Sequence, residues 1–463
     1  MASVIINVSK YIIIILMLLY TLSCFTIFKQ ESDASKAFHL NRQIVYVFLM
    51  HFLSYLTLAL SNPDEMKSIV IFYGAQILIA TLYMYLYHYM YPYSSRLLTN
   101  NMSLLLLIGY TMLTRLDFSL AKKQFVLATT ALLLFSIVPY IMVKYKNLRN
   151  YGIFYGIMGI LALSSVFVIG VEQYGSRNWI KLFGITLQPS EFVKILFAFF
   201  IASMLSKSRS FKQVMITTGF AAIHTGILVL EKDLGGALIF FVIFICMIYI
   251  GTGKITYLLV YIAGGTVMAA LAFMLFKERL FNHVMVRVNV WKDPWADIRG
   301  DGYQITQSLF AIGSGGYFGT GLTKGYPELI PVRESDFIFS AIAEEFGVLF
   351  ALALILVCFS CFICFVNIAL KVRNRFYKTL AFGFAICYIF QTFLSIGGVT
   401  KFIPSTGVTI PMVSYGGSSV ISSVIMFAIM QGICTIENKE AKKIEEERRN
   451  IEETATQKTK EIE

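Results

Sequence analysis

Thirteen apolar runs, most of them about 18 residues or longer, decide what this chain can fold into. In a bilayer core every backbone N–H and C=O must be bonded within the protein, so such runs form helices. The runs lie at 11–28, 44–61, 68–92, 102–114, 121–143, 151–171, 190–206, 213–230, 234–251, 255–276, 336–369, 379–398 and 409–436. The run at 102–114 is short and is expected to begin nearer Leu97. The run at 336–369 is long enough to include a helix outside the hydrocarbon or a strong tilt. The first run is too long for a signal h-region and lacks a small-residue cleavage site, so it reads as a retained span. Charged residues make up only 14%, against roughly 25% in soluble domains. The expected fold is an all-α polytopic integral membrane protein.

The net charge of +12 does not indicate nucleic acid. The segment 437–463 takes 7 of the 39 basic and 9 of the 27 acidic residues, leaving 32 and 18 in the body. That excess lies mostly in short loops between spans, where it faces anionic membrane lipids. With the tail inside, the inner loops carry 15 Lys/Arg and the short outer loops 8. The bias puts the C-terminus in the cytoplasm and, with an odd number of spans, the N-terminus outside. The tail reads as a solvated segment able to form a short helix through pairs such as Glu445–Arg449.

The seven cysteines lie in or at the ends of apolar stretches, and Cys358, Cys361 and Cys364 share a helix face. They read as small apolar residues, and the five histidines show no ligand spacing.

Five segments break the apolar pattern. The first is GSRNWIK at 175–181 with QPSEFVK at 188–194, where Pro189 suits a helix start and Glu191 can pair with Lys194. The second is the tight turn EKDLGG at 231–236. The third is a long outer loop, 277–335, holding WKDPWAD at 291–297, GDGYQITQS at 300–308 and a Gly-rich run at 311–321. Loops of that length usually have a function. Outside a βαβ unit the Gly-rich run is no dinucleotide fingerprint; it lets the backbone turn sharply or approach a ligand. The fourth, DFIFSAIAEE at 336–345, puts three carboxylates on one span, with Asp336 a candidate cap and Glu344 and Glu345 candidates to line a cavity. The fifth is PSTG at 404–407 with PMVSYGGSS at 411–419, which can break a helix or allow close packing.

Taken together and in this order, the six motifs GSRNWI, QPSEFVK, EKDLGG, GDGYQ with QSLFAIGSGG, DFIFSAIAEE and STGVTIPMVSYGGSS resemble the SEDS family, proteins of the FtsW, RodA and SpoVE type. The resemblance covers roughly 101–437. It implies a ten-span core at 101–436, preceded by an N-terminal membrane extension of about three spans at 1–100 and followed by the tail at 437–463. The acidic pattern before FIF departs from the family's, reading Val332-Arg-Glu-Ser-Asp336 while keeping Glu334 and Asp336.

The resemblance further implies a peptidoglycan glycosyltransferase of the bacterial cell membrane. Such an enzyme joins lipid II units on the outer face, releases polyprenyl diphosphate and works with a class B penicillin-binding protein, in division, elongation or sporulation. Spacing against the family pattern makes Asp297 the catalytic carboxylate. It makes Arg177, Trp179, Lys181, Ser190, Glu191, Lys194, Asp233, Asp293, Tyr303, Gln304, Glu334, Asp336, Glu344, Glu345, Ser414 and Ser418 binding or supporting residues.

Chemistry sets three demands on such a site. A base must take the proton of the attacking sugar hydroxyl; Asp297 fits this, and Asp293, four residues earlier, is the alternative. Cations must stabilise the diphosphate, with Arg177, Lys181, Arg287, Lys292, Arg299, Lys324 and Arg333 as outer-side candidates. A polyprenyl chain must enter from lipid, and Glu191, Lys194, Glu344 and Glu345 are candidates for the polar inner wall of its groove. A divalent cation, Mg or Mn, could bridge carboxylate and diphosphate, although no dedicated metal motif is present. The alternatives are a lipid II flippase, which needs alternating access and no base, and a non-catalytic scaffold for a synthase.

Overall fold

The computed structural model describes residues 2–462 apart from 174–175, 183–184 and 281. Its helices are α1 (Ala2–Ile27), α2 (Asp33–Ser61), α3 (Met66–Met90), α4 (Arg96–Leu116), α5 (Phe118–Phe135), α6 (Val138–Lys144), α7 (Gly152–Ile169), α8 (Pro189–Lys207), α9 (Phe211–Leu230), α10 (Leu234–Thr252), α11 (Ile255–Leu280), α12 (Asn282–Lys292), α13 (Tyr303–Gly315), α14 (Ile338–Lys371), α15 (Arg375–Val399) and α16 (Gly417–Ile462). Thirteen spans are long and apolar enough to cross a membrane, α5 and α6 together forming one. The chain is an all-α polytopic membrane protein in its spans.

Local chemistry sets the helix ends. Pro189 occupies the first turn of α8, where its missing N–H costs nothing. Asp117 accepts from Ser119 N (2.8 Å) and Leu120 N (3.0 Å) to cap α5, and Asp233 accepts from Gly236 N (2.8 Å) to cap α10. The short run at 102–114 does extend upstream, to Arg96. All of α4's hydrophobic window is buried, because α2, α3, α5 and α14 pack around it.

Three elements differ from the expectation. Between α7 and α8 the described residues form a three-stranded antiparallel sheet, β1 (Gly170–Gln173), β2 (Ser176–Leu182) and β3 (Ile185–Leu187), with Val171 opposite Trp179 and Lys181 opposite Thr186. The long loop is not irregular, since α12 and α13 occupy much of it. The final span begins at Gly417 rather than near residue 409, and its helix runs on through the charged tail to Ile462. The tail pairs found are Lys442–Glu446, Lys443–Glu447 and Arg449–Glu453, not the expected Glu445–Arg449.

The length of α14 has a specific cause. Gly347 sits at φ 86°, ψ 168° and breaks the helix. The Gly-rich run crosses this break and takes up its backbone groups. Thr320 N donates to Glu344 O (2.8 Å), Gly321 N to Glu345 O (2.9 Å), and Val348 N to Gly316 O (2.9 Å). A Cβ at Gly315 or Gly319 would lie 2.2 Å from a carbonyl oxygen of α14. The glycines therefore serve a backbone splice, which satisfies the polar groups that a broken helix exposes in a membrane.

Helices α1–α3 are docked on the remaining bundle by polar contacts as well as apolar ones. Tyr20 donates to Asn101 Oδ1 (2.7 Å), Asn100 to Gln43 Oε1 (3.0 Å), and Tyr55 shares a hydrogen bond with Thr114 (2.8 Å). Polar pairs facing each other across packed helices mark a protein interface rather than a lipid-facing surface.

Candidate active site

Helices α8, α10, α14 and α16 all begin at the same end of the bundle, called the upper end. Their first turns or caps open onto one cavity of about 1670 Å³, walled also by the ends of α5, α12, α13 and α15 and by β2 and β3. Helix N-termini carry partial positive charge and unpaired N–H groups, so four converging on a cavity favour an anion. Six cationic side chains line it: Lys122, Lys123, Lys194, Lys232, Arg287 and Lys401. So do the carboxylates Glu191, Asp233, Asp301, Glu334 and Asp336. Much of the remaining wall is apolar, including Leu238, Phe390, Phe393 and Val408.

The inner wall is a closed polar network. Lys194, 4% exposed, donates to Glu191 Oε2 (2.6 Å) and to Gln391 Oε1 (2.7 Å). Ser422 donates to the same Glu191 oxygen (2.7 Å), and Thr409 donates to Ser419 (2.8 Å). Asp233 is held by Gln188 Nε2 (3.0 Å) and Ser190 Oγ (3.3 Å) besides its cap. Ser418 accepts from Gln188 N (2.9 Å), which ties the start of α16 to that of α8.

The upper wall pairs opposite charges through a turn. Arg287 donates to Ser405 O (3.2 Å), and Trp291 Nε1 donates to Lys401 O (3.2 Å), so α12 lies over the 401–407 segment. A Cβ at Gly407 would sit 3.6 Å from Asp336 Oδ2 and 3.8 Å from both terminal nitrogens of Arg287, so its φ of 72° also lets the chain pass between them. Burial pushes the Asp336 carboxyl up, against the opposing pull of Arg287. Lys232 (φ 61°), Val332 (φ 54°) and Lys401 (φ 59°) all line the cavity in left-handed backbone. Non-glycine residues adopt that conformation at a cost, and such strain clusters at functional sites.

The sequence-derived candidates divide accordingly. Trp179, Ser190, Glu191, Lys194, Asp233, Gln304, Glu334, Asp336 and Ser418 line the cavity. Lys181 is exposed on β2 and is not part of the wall. Arg177 lies on β2 with its side chain outside those described, and Gly175 of the same motif lies outside the described residues.

Asp297 and Asp293 are not on the wall. Asp297 is exposed and accepts from Gly300 N (2.9 Å) and Asp301 N (3.2 Å), while Asp293 accepts from Trp295 N (3.1 Å). A Cβ at Gly300 would lie 2.1 Å from Asp297 Oδ2, and one at Gly302 2.2 Å from Pro294 O. The two glycines thus shape the turn around Asp297, and the turn delivers Asp301 and Gln304 to the cavity. Tyr303 is half-buried and is not part of the wall; its backbone carbonyl accepts from Thr306 (2.9 Å). Ser414 is buried and donates to Ser335 O (2.7 Å), fixing the turn segment at 332–336 without itself lining the cavity.

Glu344 and Glu345 do not line the cavity either. They belong to a knot on the other side of α14: Glu345 accepts from Arg115 Nε (2.9 Å), Arg115 also holds Glu328 (2.8 Å), and Glu344 accepts from Tyr326 N (2.9 Å). The α14 break turns these two carboxylates toward the Gly-rich splice. Of the expected outer cations whose side chains are described, only Arg287 is on the wall; Lys324 and Arg333 bind Asn7 and Glu328 O instead. Lys122, Lys123 and Lys401 were not recognised as site cations because each lies in a short loop or first turn, where a lysine reads as an orientation signal. Lys232 and Asp301 stood inside recognised motifs and carried no separate signal.

Among the described residues no three His, Cys, Asp or Glu side chains converge as a metal site. The seven cysteines are free and mostly buried.

Residues 93–439 match the model of the family described as "Cell cycle protein", FtsW/RodA/SpoVE. The peptidoglycan glycosyltransferase RodA of Mycobacterium tuberculosis is 33% identical over 371 residues, covering 74% of this chain and 78% of the relative. The probable peptidoglycan glycosyltransferase FtsW of Aliivibrio salmonicida is 32% identical over 327 residues, covering 67% and 78%. Among solved structures, a chain of a peptidoglycan synthase complex, described as coordinating polymerization and crosslinking, superposes with a TM-score of 0.63 at 22% identity, covering 75% of this chain and 98% of that one. The Rod shape determining protein RodA of Thermus thermophilus gives a TM-score of 0.56 at 23% identity, covering 74% and 97%. The match begins just before α4 and leaves α1–α3 outside it, and the chain belongs to the FtsW/RodA/SpoVE family.

Proposed function

We propose that this chain is a peptidoglycan glycosyltransferase that polymerises lipid II in the upper cavity. One observation carries the reading: a cavity at membrane depth onto which four helix N-termini and six cations converge, with apolar wall beside them. A diphosphate joined to a sugar on one side and a polyprenyl chain on the other meets those demands together. The family membership and the names of the relatives support it.

The sugar hydroxyl of one unit attacks the anomeric carbon of another, the bond to the diphosphate breaks, and polyprenyl diphosphate leaves. Lys194, Lys232, Arg287 and Lys401 stabilise that leaving charge. Asp297 is the assigned base. Its turn lies next to the wall residues Asp301 and Gln304, and this role requires its carboxylate to come within hydrogen-bonding reach of the hydroxyl when substrate is bound. A Mg or Mn ion would supply further charge neutralisation, held by the diphosphate with Glu334 or Asp336; Mg commonly takes one or two carboxylates together with phosphates.

The count of 15 against 8 basic loop residues supports a reading with the upper end outside and the tail in the cytoplasm of a bacterial cell membrane. A class B penicillin-binding protein transpeptidase is the partner this reading entails. The test is polymerisation of purified lipid II by the full chain, with and without EDTA. Asp297→Asn keeps an acceptor for Gly300 N and loses the base, so polymer should fall by about 10²–10⁴-fold with unchanged folding. Normal polymerisation by that variant would remove Asp297 from the chemistry, and an inactive wild type with its partner present would sink the enzyme reading.

A further inference from the structure

Helices α1–α3 lie outside the family match, and nothing in the motifs assigns them a role. Their upper end grips one segment of the chain. Lys10 Nζ donates to Gly319 O (2.8 Å), Lys324 binds the Asn7 side chain, and Thr323 donates to Ser61 Oγ (2.9 Å). Tyr11 packs edge-on against Phe318 at 5.7 Å between centroids. Gly319 is the residue of the splice that sits against Glu345 O at the break in α14. The grip therefore falls on the point where two pieces of backbone complete each other.

The gripped strap continues to the cavity. Beyond Lys324, Tyr326 N is held by Glu344 (2.9 Å), and Gly325 O accepts from Arg115 (3.3 Å). The strap then reaches Glu334 and Asp336 on the wall. There Tyr415 N donates to Glu334 O (2.8 Å) and Ser414 to Ser335 O (2.7 Å). Thr323 (φ 73°) and Val332 (φ 54°) hold strained backbone along it, kept in place by contacts at its gripped end, at Arg115 and Glu344, and at the wall.

We infer that α1, with the end of α2, acts as a clamp on the 316–337 strap, and that Lys10 is a positioning residue for Glu334 and Asp336. This rests on the cavity being the reaction site. Deleting α1–α3 would bare Asn100, Asn101, Thr111 and Thr114 of α4 to lipid, so point variants are the usable probe. Hydrogen exchange is measured on the full chain in lipid nanodiscs for wild type, Lys10→Ala and Lys10→Arg, alongside polymerisation of lipid II.

In Lys10→Ala the amides of 316–337 should exchange about tenfold faster, the scale of losing a charge-assisted hydrogen bond. Those of α8 and α10 should be unchanged. Turnover should fall several-fold, and Lys10→Arg should restore both readouts. Unchanged exchange in 316–337 would overturn the clamp. Faster exchange with full turnover would overturn the positioning role. Faster exchange throughout α8 and α10 would reduce Lys10 to a general stability residue and overturn the inference as well. The exchange readout needs no activity, so failure of the enzyme reading would be recognised separately, as an inactive wild type.

Discussion

Glu191 with Lys194 and Glu345 with Arg115 are both ion pairs buried at the upper end of the same bundle, and both come from motifs dense in charge. Their surroundings differ. Glu191 and Lys194 border the cavity and pass their remaining bonds to Ser422 and Gln391. Glu345 is 0% exposed, is not on the wall of that cavity, and among the described residues keeps one carboxylate oxygen without a hydrogen-bond partner, as does Glu344. Burial of charge in a membrane is therefore not enough to mark a site. Access to substrate separates a working pair from one that ties a broken helix to its neighbours.

The comparison breaks most readily at Arg115. Replacing it with Met leaves Glu345 buried without its cation, which should cost about 3–5 kcal/mol of stability. Thermal unfolding in detergent should show this, and Arg115→Met combined with Glu345→Gln should recover most of it. A loss below about 1 kcal/mol would mean that the knot is not structural.

A smaller effect is expected at Glu231, which adjoins the wall residues Lys232 and Asp233 and, among the described residues, has one oxygen unpartnered. Burial, with Asp233 adding to it, pushes its carboxyl up to about 8 from an ordinary 4.5. The folded value lies above the unfolded one, so the group costs nothing below pH 4.5. It costs progressively more from pH 4.5 to 8 and its full penalty above that. Glu231→Gln should raise the melting temperature at pH 8.5 and leave it nearly unchanged at pH 4.5. A gain that is the same at both pH values would contradict this.

The smallest effect concerns the two strained lysines. Lys232→Gly and Lys401→Gly each relieve a left-handed residue and should gain up to about 1 kcal/mol of stability. Each should also raise the KM for lipid II about three- to tenfold through lost attraction to the diphosphate. A variant that gained stability with an unchanged KM would separate that lysine from substrate binding.

How much of this was legible in the sequence follows from what each signal depends on. The spans were readable because they rest on local hydropathy, down to the extension of the 102–114 run to Arg96. The pair Glu191–Lys194 was readable because i, i+3 spacing on a helix puts the two together. The break at Gly347 was not, because a glycine inside an apolar run gives no sign of its φ; the long run suggested tilt instead. The resemblance picked out Glu344 and Glu345 with the wall residues, since a motif carries residue identity but not which side of α14 faces the cavity. Lys401 joins the site only when α12 folds over residues 401–407, a contact spanning more than a hundred positions. The sheet at 170–187 was missed because its strands of 3–7 residues are too short and polar to stand out between two spans.

The cavity as the seat of lipid II is tested most directly by placing a photo-crosslinking amino acid at Phe393, on its apolar wall, or at Leu329, beside the knot, in otherwise native protein. With radiolabelled lipid II in nanodiscs, label should attach at position 393 and be competed away by unlabelled lipid II, with none at 329. Label at 329 and none at 393 would place the substrate at the wrong cluster and contradict the assignment.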